Sequence, residues 1–338
     1  MVSKLKDPVK SSVKILSGLQ YSSGLFAASK VSVSTGYDKS WIRDNIYETF
    51  GLEEFDRKRV IRTYRALLDI FLKYEWKIDY AIIAKPQHKH EYIHARFNPE
   101  TFGEFHEEWG NKQNDSIGAF LFKVADLEDK GIKVIRDKND LRILQKLVYY
   151  LKSIEYWHDK DNGMWEENEE IHASSVGACV AGLKRISKYV FVEQELIEKG
   201  TTTLNWLLPR ESQTKEVDLA LLSLIWPYQI TTPEQTKAIL DNIEKLLVKK
   251  RGVLRYIGDK YYNKDGKEAE WCFGFPWLAI IYRQLGNFNK YKFYTDKTIE
   301  AMNEKGELPE LYFGETNKHN ENSPLGWGQS LAIVAMQK

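Results

Sequence analysis

Three glutamates and two arginines sit in aromatic settings that could do chemistry. "GMWEENEEIH" places Glu166 and Glu167 directly after Trp165, and "ELPELYFG" carries Glu310 with no like-charged immediate neighbour. "YDKSWIRDN" brings Tyr37, Trp41, Arg43 and Asp44 together, "EWGNKQND" pairs Trp109 with Asp115, and "VLRYIGDKYY" supplies Arg255, Tyr256 and Asp259. Tyr312 follows Glu310. Two separated carboxyl groups suit general acid and base work on a glycosidic bond, and the flat faces of tryptophan suit sugar rings. Each stretch also has a local reading. "WEENEE" reads as a solvated acidic turn complementing the following helix, Arg43 and Asp44 as an ordinary helix start stapled by Trp41, and Arg255 as a hairpin ion pair with Asp259. The tryptophans taken singly read as core.

What favours the chemical reading is the arrangement of the elements that carry these residues. Apolar residues recur at helical spacing: Val60, Tyr64, Leu67, Leu68, Phe71 and Leu72 form one face, and Leu141, Leu144, Leu147, Val148 and Leu151 another. Thr232 followed by Pro233 starts a third such helix, with Ile239, Ile243, Leu246 and Leu247 on its apolar side. The pattern predicts twelve helices, at 7–20, 39–54, 56–76, 113–127, 137–157, 172–188, 190–208, 212–225, 232–249, 268–286, 288–305 and 323–337. Even-to-odd links are mostly short, as at Phe55, Tyr189 and Gly286, whereas most odd-to-even links are long. Antiparallel packing then gathers all long loops at one end, and six helical hairpins close into an all-α double ring, an (α/α)6 barrel. Every residue singled out above lies on that one rim.

Lys+Arg 49 against Asp+Glu 48 leaves a net charge of +1, so no overall field favours nucleic acid or an anionic membrane surface. No Gly/Pro/Ser linker divides the chain, which predicts one domain over residues 1–338. Cys179 and Cys272 form no CxxC pair and read as reduced core residues. With no signal-like or membrane-length apolar run, a cytoplasmic protein is expected. His88, His90 and His94 in "QHKHEYIH" lie between Pro86 and Pro99 in a stretch that looks extended, which argues against a zinc site; no metal and no cofactor is expected.

"YDKSWIRDN", "EWGNKQNDSIG", "GMWEENEEIHASS", "LRYIGDKYYN", "EAEWCFGFPWLA" and "LPE…NENSPLGWGQSLA" occur in the same order as the signature stretches of glycoside hydrolase family 15, and the chain resembles that family from Ser23 to Ala335. The resemblance implies an (α/α)6 barrel and inverting hydrolysis that releases glucose from the non-reducing end of an α-linked gluco-oligosaccharide. By motif, Glu166 is the general acid, Glu167 its neighbour on the leaving-side sugar, and Glu310 the general base. Arg43, Asp44 and Arg255 match residues holding the terminal glucose, while Tyr37, Trp41, Trp109 and Trp165 match pocket aromatics. "HARFNPET" is similar to the family's second loop.

Those roles carry physical expectations. An inverting pair stands roughly 6.5–9.5 Å apart so that a water fits beside the sugar. Glu166 is expected to hold its proton because Glu167 and the Trp165 indole disfavour its charge, Glu310 to be ionised and open to water, and Arg43 to serve as ion-pair partner of Asp44. Leu311 stands where many glucoamylases have glutamine, and "GWGQSLAIV" is similar to the glucoamylase-like domain of the phosphorylase kinase α subunit, so a glycan-binding regulatory module is the alternative to an enzyme. The compact chain favours short soluble oligosaccharides over granules.

Overall fold

Residues 7–107 and 109–337 are described by the computed structural model. Their helices are α1 (Pro8–Ser17), α2 (Ile42–Phe50), α3 (Arg57–Lys73), α4 (Glu75–Ile83), α5 (Asn114–Asp129), α6 (Lys138–Ser153), α7 (Ala173–Ile186), α8 (Gln194–Leu207), α9 (Leu222–Ile225), α10 (Pro233–Leu246), α11 (Gly274–Gln284), α12 (Phe288–Ala301) and α13 (Gly326–Met336). Two antiparallel pairs of two-residue strands complete the regular structure: β1 (Ser40–Trp41) with β2 (Arg96–Phe97), and β3 (Glu270–Trp271) with β4 (Leu311–Tyr312).

The helices form two concentric rings. Neighbour contacts run α2 to α5, α5 to α7, α7 to α9, α9 to α11, α11 to α13 and α13 back to α2, which closes the inner ring. Outside it, α1 packs on α13, α3 on α2 and α6, α8 on α7, α10 on α9 and α12 on α11. This is the expected (α/α)6 barrel. The two rings differ in chemistry. Outer helices are amphipathic: on α3, Val60, Tyr64, Leu67, Leu68 and Phe71 are buried while Arg57, Lys58 and Arg65 face solvent. Inner helices are enclosed, and every residue of α5 from Asn114 to Glu128 is buried, with Lys123 neutralised by Glu53 and Asp126.

The rings also differ in how their helices start. Side-chain oxygens of Asp7, Asp56, Asp137, Thr232 and Asn287 cap α1, α3, α6, α10 and α12, all outer. Thr232 makes a full capping box with Gln235 and precedes Pro233, as its sequence predicts. The inner helices α2, α5, α7, α11 and α13 take no side-chain cap from their own N-cap residue; distant carboxylates serve two of them, Asp161 accepting from Asn114 N–H of α5 and Glu211 from Ser174 N–H of α7.

Two departures from the predicted helices have clear causes. Helix α4 occupies part of the stretch from Lys77 to Lys112 expected to be loop; its large residues Trp76, Tyr80 and Ile83 face solvent while Lys77, Ile78 and Ala81 are buried, so its apolar pattern is inverted. The helix expected over 212–225 shrinks to one 3-10 turn and α9. Asp218 caps that turn through Ala220 N–H, and Pro227 follows shortly after its end.

Candidate active site

A cavity of about 340 Å³ opens at the end of the barrel where the inner helices begin. That is near the lower end of the roughly 300–1,000 Å³ of small-molecule sites and suits one sugar unit better than a long chain. It is lined by all ten residues that the sequence reading proposed: Tyr37, Trp41, Arg43, Asp44, Trp109, Trp165, Glu166, Glu167, Arg255 and Glu310. Arg96, Tyr261, Trp271, Phe273 and Trp327 line it as well and were missed. Trp271, Phe273 and Trp327 lie within motif stretches. Arg96 reaches the cavity because β2 sets it opposite Trp41, a pairing with no local signal. Tyr312, expected on the rim, turns away and donates its hydroxyl to Ala301 O.

Arg43 and Asp44 occupy the first turn of α2, and their side chains diverge. Arg43 Nη1 contacts both Asp115 oxygens, at 2.9 and 3.2 Å, and Gln113 Oε1 at 2.9 Å; Nη2 lies 3.4 Å from Glu166 Oε1. Its ion-pair partner is therefore Asp115, which corrects the expected Arg43–Asp44 pair. Residues one apart on a helix point about 100° from each other and do not meet. Asp44 instead presents its carboxylate to the cavity and accepts no side-chain hydrogen bond among the described residues. Burial pushes it up to about 6, against the pull of Arg43.

Glu166 has a left-handed backbone, φ +64°, a strained conformation for a residue with a side chain. Gly110 makes room for it: a Cβ there would stand 2.6 Å from the Glu166 carbonyl oxygen. Burial pushes Glu166 up to about 7; Arg43 and Arg96 oppose this and Asp44 adds to it. The direction matches expectation and an apolar setting carries it, but the like charge that adds to it is that of Asp44, not Glu167. Glu167 faces the other way, accepting from Arg255 Nη2 at 2.9 Å, Tyr256 Oη at 2.7 Å and Lys215 Nζ at 2.8 Å.

Glu310 was expected to be open to water and is not. It is 1% exposed and lines the cavity. Tyr37 Oη donates to its Oε1 at 2.7 Å, and the amides of Asn320 and Asn322 donate to Oε2. Burial raises it above the ordinary glutamate range while these three donors favour its charged form.

The remaining walls are aromatic and cationic. Trp165 is fixed by its indole N–H to Asp218 at 2.8 Å and stacks on Trp327, ring centres 6.4 Å apart. Trp41 and Trp109 meet edge to face, with Arg96 over both rings at 5.4 and 4.5 Å. Arg255 forms a two-bond pair with Asp259, at 2.7 and 2.6 Å, as its local reading had it, and also faces the cavity beside Trp271. His94 is buried and stacks on Trp109. Among the described residues no cluster of His, Cys, Asp or Glu is arranged to hold a metal, and no helix is long and apolar enough to cross a membrane.

The family model described as "Glycosyl hydrolases family 15" matches residues 5–336. The chain belongs to that family. Its double ring superposes on a structure described as a wild-type glycosidase with a TM-score of 0.84 at 16% identity, covering 99% of this chain and 96% of that one. The glucoamylase of Saccharomycopsis fibuligera gives a TM-score of 0.68 at 15% identity over 97% of this chain and 93% of that one. Both likenesses are of fold. By sequence, the chain is 26% identical over 336 residues to the probable phosphorylase b kinase regulatory subunit alpha of Caenorhabditis elegans, covering 81% of this chain and 27% of that protein. The skeletal muscle isoform from Oryctolagus cuniculus is 24% identical over 379 residues, covering 88% of this chain and 30% of that one. This family 15 chain thus spans less than a third of the length of those regulatory relatives, and it has the fold of a glycoside-hydrolase-like module.

Proposed function

We propose that the protein is an inverting, exo-acting α-glucosidase that releases glucose from short α-linked gluco-oligosaccharides, with residues 1–338 acting as one catalytic domain in the cytoplasm. The reading rests on one observation: Glu166 and Glu310, 144 positions apart in the chain, line the same sugar-sized cavity, and Glu310 alone of the two sits in a cradle of three hydrogen-bond donors from Tyr37, Asn320 and Asn322. Glu166, pushed up to about 7, keeps a proton for the glycosidic oxygen. Glu310, fed by three hydrogen-bond donors, takes the proton of a water that attacks the anomeric carbon from the opposite face. The glycosidic C–O bond breaks as the water C–O bond forms, so one proton leaves Glu166 and one reaches Glu310. Asp44 and Arg43 hold hydroxyls of the terminal glucose, Arg255 and Glu167 orient the leaving side, and Tyr37, Trp41, Trp109 and Trp165 cover the ring faces.

A second reading is supported by the curated relatives, which are described as regulatory subunits. On that reading the cavity binds a glycan without turnover. Proton NMR over a panel of α-linked glucose disaccharides separates the two. The enzyme reading expects the β-anomer of glucose to appear first, and Glu310→Gln to abolish its release. Saturable binding of a disaccharide with no product at any pH between 4 and 9 would establish the regulatory reading instead.

A further inference from the structure

Glu310 has four lone-pair positions on its two oxygens, and the structure fills three. Both positions on Oε2 are taken, by Asn320 Nδ2 and by Asn322 Nδ2 at 2.7 Å, and one on Oε1 is taken by Tyr37 Oη at 2.7 Å. The position left is on Oε1, on a buried side chain that lines the cavity. An amide, however, orients itself either way: turned over, Asn322 would set its own oxygen against the carboxylate. The ionised carboxylate, which only accepts, selects the orientation with N–H toward it, and Thr35 holds the amide there from its other side. The Thr35 Oγ1 donates to Asn322 Oδ1 at 2.6 Å, which fixes the oxygen outward and the N–H groups toward Glu310. The Asn322 backbone carbonyl accepts from Glu310 N–H at 2.9 Å, so the amide and the acid share one scaffold.

We propose that Thr35 and Asn322 are positioning residues that make Glu310 a one-sided base: Thr35 locks the Asn322 amide, the locked amide closes Oε2 to protons, and the water's proton is accepted at Oε1 alone. This rests on the proposed hydrolase reading for its chemistry but not for its geometry. Thr35 itself sits on the loop between α1 and α2, while Asn320 and Asn322 come from the loop between α12 and α13, so the base is tuned from both ends of the chain. Asn320 and Asn322 belong to the same motif as Glu310, but Thr35 lies 275 positions before it.

The test is a direct titration. With 13C-carboxyl glutamate label, the Glu310 resonance is identified by its loss in Glu310→Gln and followed with pH in the unmodified protein, Thr35→Val and Thr35→Ser. Valine matches threonine in shape without a donor, and serine keeps the donor. Thr35→Val is expected to raise the Glu310 titration midpoint by about one pH unit, the scale of one hydrogen bond to a charged group, and Thr35→Ser to restore it. Asn322→Leu removes the donor itself and is expected to raise the midpoint further; it decides the matter should Thr35→Val fold poorly. In turnover, the acidic limb of kcat/KM moves with the midpoint while the alkaline limb stays. An unmoved midpoint in Thr35→Val and Asn322→Leu, or an equal rise in Thr35→Ser and Thr35→Val, overturns the proposal. A shifted midpoint in a protein that hydrolyses no glucoside leaves the cradle standing and refutes the hydrolase reading alone.

Discussion

Replacing Gly118 with alanine tests the scaffold and the cavity together. Helices α5 and α7 touch backbone to backbone: a Cβ on Gly118 would lie 2.4 Å from the Ala178 carbonyl carbon and 2.4 Å from the Cys179 nitrogen, where ordinary contact starts near 3.4 Å. The helices must therefore separate by about 1 Å, the difference of those values, and no side-chain rotamer offers relief. Overpacking that forces backbone to move lies at the top of its usual range, about 3 kcal/mol or more, offset by about 1 kcal/mol of helix preference for alanine over glycine. The net loss expected in urea denaturation is about 2 kcal/mol or more. Gly182 provides a cross-check, since its Cβ would meet the Gly118 carbonyl oxygen at 2.4 Å. Gly182→Ala should cost a similar amount, and the double variant less than the sum by at least about 1 kcal/mol, because one separation relieves both clashes. The same displacement pulls the start of α5, with Asp115, from the loop before α7, with Glu166, and Arg43 bridges the two. Turnover should fall even where the protein is fully folded. Single variants within 0.5 kcal/mol of the parent, or strictly additive losses, would refute this packing.

Three further outcomes are expected. The pH profile of kcat/KM should be a narrow bell: the alkaline limb falls through about 7 as Glu166 loses its proton, and the acidic limb lies above the ordinary 4.5 of glutamate because burial raises Glu310. Glu166→Gln should leave a trace activity without the alkaline limb; a limb unchanged in that variant would assign it elsewhere. Burial opposes the charge on His172, but Glu211 and Asp161 outweigh it and raise the imidazole from 6.5 to about 9. The resulting stability, about 3 kcal/mol, is fully present below pH 6.5 and lost as pH rises through 9, so denaturation midpoints of the parent should fall across that window, and those of His172→Asn should fall less, with the ionisation of the buried Asp161 remaining there. Arg43→Lys should lower kcat/KM about tenfold or more, since a single ammonium cannot serve Asp115, Gln113 and Glu166 at once; a change under twofold in initial-rate assays would speak against that bridging role.

Periodicity made the double ring legible, because the outer helices carry one apolar face each and the inner ones are preceded by long loops. It failed at α4, where the apolar residues that catch the eye, Trp76, Tyr80 and Ile83, are the exposed ones. The cavity's members were legible for a related reason: aromatic and charged residues clustered just before inner helices have little reason to be there otherwise. Their pairings were not. Adjacency suggested Arg43 with Asp44, yet a helix turns neighbours apart and the true partner lies 72 positions on. Glu310 looked exposed because nothing near it in sequence covers it; its donors come from residues 37, 320 and 322. Arg96 was invisible because only the β1–β2 pairing brings it to Trp41.

That five inner helices take no side-chain cap from their own N-cap residue has an evolutionary reading. Where a serine or aspartate must start a helix, that position is committed, and drift there undermines the fold. At this rim the N-cap positions themselves are not committed in that way: where a carboxylate serves, as Asp161 does for α5 and Glu211 for α7, it comes from elsewhere in the chain, so the residues immediately preceding these helices are free to be exchanged for other ligand contacts. A scaffold so arranged lets the rim before its inner helices change composition without the frame being rebuilt.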